Sequence, residues 1–365
     1  MEPRNDVRAR LRAVRHCALG GGGAQGVLYA GMLNALFEDH GVDWGAGVPH
    51  RLEGVAGTSV GALFALLITL RYTAVEIAAE IDALPCLAAP RLGSVTRHMA
   101  ADDGAHLRAL LERLLYRKLG VRDMTLRALH AACGTDLVVV ATDLTTLGVR
   151  YLRASTDGDL SVIKAVLASM AVPGVFPPQI VRDHTLVDGC MQDGYAAMVW
   201  PPEHLFGACF MFNIDARAPP TRPAGYLRRI MIMMQLSHEV ASWAALPDAY
   251  KARTLLLDSA GQQGVPSASM ALSPEERRAL MTRGAATTRA GLRHWGERGP
   301  AYPHREGDVA HCLPPPVRAA RVQPQWYDLL ASRQAVPQES ERVTAHALGV
   351  LVLTLLVTAA MRVLL

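Results

Sequence analysis

The chain has 365 residues, half of them hydrophobic and 19% charged, with a formal net charge of +4. That composition excludes a disordered polymer and leaves room for a large buried core. The Arg residues are interspersed with acids rather than gathered into a stripe, which removes the case for a nucleic-acid binder.

Residues 1–16 are rich in Arg and acids without an apolar core, so they read as a tail and not as a secretory signal peptide. Six widely spaced cysteines, Cys17, Cys86, Cys133, Cys190, Cys209 and Cys312, form no CxxC pair and read as reduced core residues, neither a disulfide frame nor a zinc site. Cys17-Ala18-Leu19 predicts a short strand, Gly20 to Gly26 a glycine-rich turn, and residues 27–37 an apolar helix. A turn of this kind gathers backbone N–H groups at a helix N-terminus and attracts negative charge. A phosphate cradle and an oxyanion hole both meet that description. The Lys-Ser/Thr of a P-loop is missing and no acidic residue is placed for a ribose contact, so the oxyanion hole is favoured.

About one βα unit downstream, residues 52–56 predict a strand and 62–68 a helix, joined by Gly57-Thr58-Ser59-Val60-Gly61. A serine between two glycines at a strand-to-helix junction is the pattern of a nucleophile elbow. There the hydroxyl is exposed by a strained turn, and Gly57 and Gly61 let neighbouring backbone pass. Ser59 is therefore the candidate nucleophile; the plainer alternative is a serine that only caps the helix.

Residues 72–130 read as helical scaffold, with apolar spacing over 74–84 and 104–119; His98, His106 and His130 read as surface or packing residues and Asp102-Asp103 as a helix N-cap. Residues 136–142 are a β-branched apolar run, the mark of a central strand buried on both faces. Asp143 then reads as a turn cap in preference to a catalytic acid, with a second strand at 149–153 and a helix at 161–170. Residues 172–178 form a Pro-rich rigid segment, a candidate cleft wall. A hairpin at 179–187 ends in Asp188-Gly189, which alone is a turn but also places a carboxylate where it can act as a base for a serine, provided its pKa is raised.

Further strands are expected at 208–214 and 253–258, a Met-rich helix at 226–245, and helices at 274–283 and 287–295, with Pro314-Pro315-Pro316 marking a linker. Residues 345–365 are apolar apart from His346, scattered Thr and Arg362. As a helix, 347–365 spans about 28 Å against a hydrocarbon core of ~30 Å, so it reads as a C-terminal membrane anchor in preference to a docked helix.

Five ordered segments resemble the patatin-like phospholipases over roughly residues 15–215: Gly21-Gly22-Gly23-Ala24-Gln25-Gly26, Gly57-Thr58-Ser59-Val60-Gly61, Ala141-Thr142-Asp143-Leu144, the run from Ala168 to Pro178, and Leu186-Val187-Asp188-Gly189. The resemblance implies a three-layer α/β/α sandwich with a mostly parallel sheet, Ser59 as acyl nucleophile, Asp188 as its proton acceptor, and an oxyanion hole on Gly21, Gly22, Gly23 and Ala24. No histidine, metal or cofactor is needed by such a dyad. It further implies an acyl-lipid substrate, preferentially a phospholipid; a triacylglycerol lipase, a transacylase and a silent membrane-anchored scaffold are the alternatives. Two positions depart from the family: Gln25 stands where Arg or Lys is common, and Cys190 follows Asp188-Gly189 where Gly or Ala is usual. The expected organisation is a tail (1–15), a catalytic domain (16–260), an extension with a Pro-rich linker (261–344) and the anchor (345–365), which leaves the enzyme on the cytosolic side of a membrane.

Overall fold

In a computed structural model the described residues are 3–82, 100, 102–211, 241–258 and 272–297. Eight strands form one sheet: β1 (His16–Leu19), β2 (Gly54–Thr58), β3 (Asp136–Asp143), β4 (Gly148–Leu152), β5 (Gln179–Val181), β6 (His184–Asp188), β7 (Leu205–Met211) and β8 (Thr254–Asp258). The described helices used below are α1 (Pro3–Arg12), α2 (Val27–His40), α3 (Val60–Thr69), α4 (Ala74–Asp82), α5 (Ala105–Leu119), α6 (Leu126–Cys133), α7 (Val162–Ser169) and α8 (Pro274–Leu292).

The sheet is parallel through its centre. β1 lies between β2 and β7, β2 continues to β3 and β7 to β8, all in parallel. Apolar and small residues fill these strands on both faces, as expected where helices cover a parallel sheet. On one face Cys17, Leu19, Val55, Leu137 and Val139 join the main core with α2, α3 and α7. On the other, Ala18, Ala56 and Val138 pack with Ala197, Trp200 and Leu246. The expected three-layer α/β arrangement is present, with small side chains on the second face letting Trp200 lie close to the strands.

The remaining strands are antiparallel, and their register positions the site. β4 pairs with residues 139–143 of β3, while β6 pairs with 141–143 and places Asp188 opposite Ala141. Two strands cannot share one edge at the same residues, so β4 and β6 lie on opposite edges of β3. β2 reaches Val140, where β4 also pairs, so β2 and β6 occupy the same edge of β3, end to end. Their meeting point is Thr58 and Asp188.

Three segments differ from the sequence expectation. Residues 3–12 form helix α1 where a tail was expected, and Leu11 on it and Val14 just after it are buried. β7 begins three residues before the predicted strand at 208. The two helices expected over 274–295 are the single helix α8, started by a Ser273–Glu276 capping box. Gly284 lies inside this continuous helix and is a packing residue. A Cβ there would strike the Leu28 carbonyl of α2, just as one on Gly31 would strike the Met281 carbonyl, so the two glycines let the helix backbones touch.

The predicted Met-rich helix falls largely outside the described residues, and the Pro-rich linker and the 345–365 membrane segment wholly so. Among the described residues no helix is long and apolar enough to cross a membrane.

Candidate active site

β2 ends at Thr58, and the chain turns into α3 through Ser59, whose backbone lies at φ 54°, ψ −123°. A positive φ is strained for a residue with a Cβ and persists only where the surroundings impose it. Both flanking glycines are imposed by close backbone. A side chain on Gly57 would collide with the Gly61 carbonyl, and one on Gly61 with the carbonyls of Leu19 and Gly20 at the end of β1. Ser59 occupies the N-cap position of α3 but makes no side-chain capping bond, which decides against the plain capping reading. Its Oγ instead donates to Asp188 Oδ2 at 2.6 Å, and its N–H donates to the buried Ser169 Oγ at 2.8 Å.

Asp188 closes β6 and is 3% exposed. Its Oδ1 accepts from Cys190 N–H at 2.8 Å, and its own N–H donates to Ala171 O at 3.0 Å. Gly189 follows because a Cβ there would meet the Val140 carbonyl and Thr58, so only glycine lets the turn lie flat over β3. Burial pushes the Asp188 carboxyl up to about 6, while the bonds from Ser59 and Cys190 pull the other way. A carboxylate in that range can receive a proton without holding it permanently.

The loop after Asp188 is clasped to the elbow. Thr58 Oγ1 donates to Asp193 O at 3.0 Å, Gly21 N–H donates to Gly194 O at 2.9 Å, and the Asp193 carboxylate accepts from Tyr195 N–H at 3.1 Å and Tyr151 OH at 2.8 Å.

The glycine-rich loop crosses directly in front of Ser59. Tyr29 OH bonds the carbonyls of Gly20 (2.8 Å) and Ala208 (3.0 Å), fixing where the loop leaves β1. A Cβ on Gly21 would lie 3.1 Å from Ser59 Cβ and overlap Cys190 Sγ; one on Gly22 would overlap the Phe210 ring. Gly23 has φ 54° and starts the 3₁₀ turn Gly23–Gly26 that leads into α2. Of the four predicted oxyanion residues, Gly21 has its N–H committed to Gly194 and so contributes close approach, not a donor. The N–H groups of Gly22, Gly23 and Ala24 make no hydrogen bond to other described residues. Gln25 N–H closes the turn on Gly22 O at 3.1 Å.

A cavity of about 340 Å³ opens beside this loop, walled by Gly23, Ala24 and Val60 at the site and by Val27, Leu63 and Met170 among its apolar residues. Its walls suit an alkyl chain.

Other candidates fall elsewhere. Asp143 is fully buried and accepts from Thr145 N–H, Thr146 Oγ1 and His184 Nδ1, so it fastens the β3–β4 turn. Asp102 and Asp103 accept from Gly104 and Ala105 N–H in the turn that leads into α5, but the N-cap itself is Gly104 and no side chain caps the helix, so neither aspartate is the N-cap expected from the sequence. His106 lines the cavity and His130 lies on α6; among the described residues no imidazole is bonded to Ser59 or Asp188. No cluster of metal-ligating side chains occurs among the described residues. Cys17, Cys133, Cys190 and Cys209 form no disulfide; burial raises the pKa of Cys17 and Cys133. Sequence reasoning did not single out Ser169, Asp193, Gly194 or Tyr151. The polar Ser169 at the end of the apolar run 165–168 was the one local signal available.

A family model described as patatin-like phospholipase matches residues 17–199, half of the chain. Among curated proteins, an uncharacterized protein, R571, of Acanthamoeba polyphaga mimivirus is 23% identical over 181 residues, which cover 48% of this chain and 58% of that protein. Among solved structures the chain is similar to VipD from Legionella pneumophila (15% identity, TM-score 0.46, covering 76% of this chain and 66% of that one). It is also similar to the type III effector ExoU (14%, TM-score 0.40, 78% and 54%) and to ExoU of Pseudomonas aeruginosa in complex with SpcU (15%, TM-score 0.39, 77% and 53%). The chain thus spans less than two thirds of the length of each of these proteins.

Proposed function

The chain belongs to the patatin-like phospholipase family, and on that premise we propose that it is a lipid acyl hydrolase of the phospholipase A or lysophospholipase type, working through a Ser59–Asp188 dyad. The observation that carries this reading is the 2.6 Å hydrogen bond from Ser59 Oγ to the buried Asp188 carboxylate, with the loop of Gly22, Gly23 and Ala24 alongside.

Asp188 takes the hydroxyl proton as Ser59 Oγ attacks the ester carbonyl. The N–H groups of Gly22, Gly23 and Ala24 receive the charge that develops on the carbonyl oxygen. The protonated Asp188 then delivers its proton to the leaving alcohol, and an acyl-Ser59 ester remains. A water attacks that ester while Asp188 accepts its proton, and Asp188 then returns the proton to Ser59 Oγ as the acyl–oxygen bond breaks and the fatty acid departs. The raised pKa supports Asp188 as the acceptor, and the apolar cavity beside Val60 supports a hydrocarbon substrate.

Labelling by a fluorophosphonate probe and release of labelled fatty acid from phospholipid vesicles test the proposal. Wild type is expected to do both and Ser59→Ala neither; equal release by the two proteins would sink it. Product analysis separates free fatty acid from acyl chains transferred to another lipid. We also propose that residues 345–365 hold the domain at a bilayer, tested by alkaline carbonate extraction with and without residues 341–365; extraction of the full chain overturns it.

A further inference from the structure

We infer that Arg277 is a specificity-determining residue, holding the anionic oxygens of a single-chain amphiphile that occupies the cavity beside the elbow. This deepens the lipid-hydrolase reading and rests on it for the nature of the alkyl chain.

The cavity wall is apolar at Val27, Leu63, Ile81, Leu107 and Leu110, yet Arg277 of α8 also lines it. Arg277 is 6% exposed. Its two Nη groups donate to the carbonyls of Leu272 (2.8 Å) and Asp82 (2.9 Å), and its buried Nε has no hydrogen-bond partner. No carboxylate among the described residues pairs with it. The Asp82 side chain is 3.8 Å from Arg278, and Glu80 is shared by Arg113, which also lines the cavity, and Arg117.

Taking a guanidinium out of water without a counter-anion is costly, and carbonyl dipoles offset only part of that cost. An alkyl chain filling the cavity would leave the charge and the spare donor as they are. A ligand with an alkyl body and a carboxylate or phosphate answers both, because the guanidinium fork binds planar anionic oxygens strongly. Two sources share this chemistry: the phosphate of a lipid headgroup and the carboxylate of a released fatty acid.

The test is calorimetric titration of the full chain with decyl phosphate, decanoate and decanol below their aggregation limits. The anions are expected to bind at least about ten-fold more tightly than the alcohol, the effect of one charge-assisted bond. Tighter binding of decyl phosphate identifies the headgroup and tighter binding of decanoate the fatty acid. R277M is expected to bring all three within about two-fold of one another. Equal binding of the three by wild type, or an anion preference that survives R277M, overturns the inference. If circular dichroism finds R277M unfolded, R277K carries the test: a clearly weakened preference supports the role, and an unchanged one overturns it. Because binding is read without turnover, failure here is distinct from failure of Ser59-dependent hydrolysis.

Discussion

Ser59 and Asp188 stand 129 positions apart in the chain, and their side chains meet at 2.6 Å because β2 and β6 run end to end along one edge of β3. Thr58 opposite Val140 and Asp188 opposite Ala141 are consecutive register steps. The dyad is thus set by sheet pairing, which is stiffer than a loop, and the glycine at 189 is what lets the second strand approach so closely.

In the proposed mechanism the pH dependence of hydrolysis follows from the state of Asp188. The base must be ionised, and its carboxyl is pushed up to about 6 by burial. The kcat/KM profile is expected to rise with unit slope through about pH 6 and level off above it. Asp188→Asn removes the proposed proton acceptor and is expected to lower kcat by about 10²–10⁴-fold. A wild-type profile flat from about pH 5 to 8 contradicts the assignment.

The same shift has a stability consequence of opposite sense. A carboxyl with a folded pKa above its unfolded value binds protons more tightly when folded, so its contribution to stability falls as pH rises from about 4 through 6. The burial of the ionised group costs on the order of 3 kcal/mol at neutral pH. Asp188→Asn is therefore expected to melt higher than wild type near pH 8, with the difference closing toward pH 4. Thermal unfolding across that range checks it, and a less stable variant at pH 8 refutes it.

Gly57 of the elbow and Gly120, the C-cap of α5, differ in what they tolerate. Gly57→Ala pushes a methyl into the Gly61 carbonyl, where only backbone can yield, and is expected to destabilise by about 3 kcal/mol or more or to prevent folding. Gly120→Ala meets open space and only the strain of φ 72°, for a cost of about 1–2 kcal/mol. Denaturant titration of the two variants ranks them, and equal destabilisation would refute the close-packing account.

Asp143 tests the separation of structure from chemistry. Its turn and His184 bonds hold its carboxyl below the usual range despite burial. A depressed pKa supplies stability above the unfolded value that is lost as pH falls through the folded one. Asp143→Asn is expected to lose about 1–3 kcal/mol at pH 7, less at pH 3, while keeping hydrolysis within a few-fold. Loss of activity without loss of stability would assign Asp143 to the chemistry.

Local punctuation was legible in the chain. The run at 136–142, the glycines at 57 and 61, and the turn after Asp188 each encode their own conformation, so the strands, the elbow and the hairpin were readable. The capping alternative for Ser59 was not excluded locally, because a serine before a helix looks the same whether its hydroxyl caps or points elsewhere. α1 was missed because few of its residues carry the apolar signal, while the burial of Leu11 and Val14 depends on what packs over them. The break expected between residues 283 and 287 does not occur, and Gly284 in the middle of α8 serves close helix contact.

By itself the sequence determined the central strands, the elbow, the hairpin and which residue types could do acyl chemistry, since backbone preference and hydrophobic period act over a few residues. Only the tertiary structure decided that β6 abuts β2, that the Gly21 N–H belongs to Gly194, that Ser169 braces the elbow, and that Arg277 lies in an apolar cavity. Those facts depend on register and packing between segments far apart in the chain, where no local pattern carries the information.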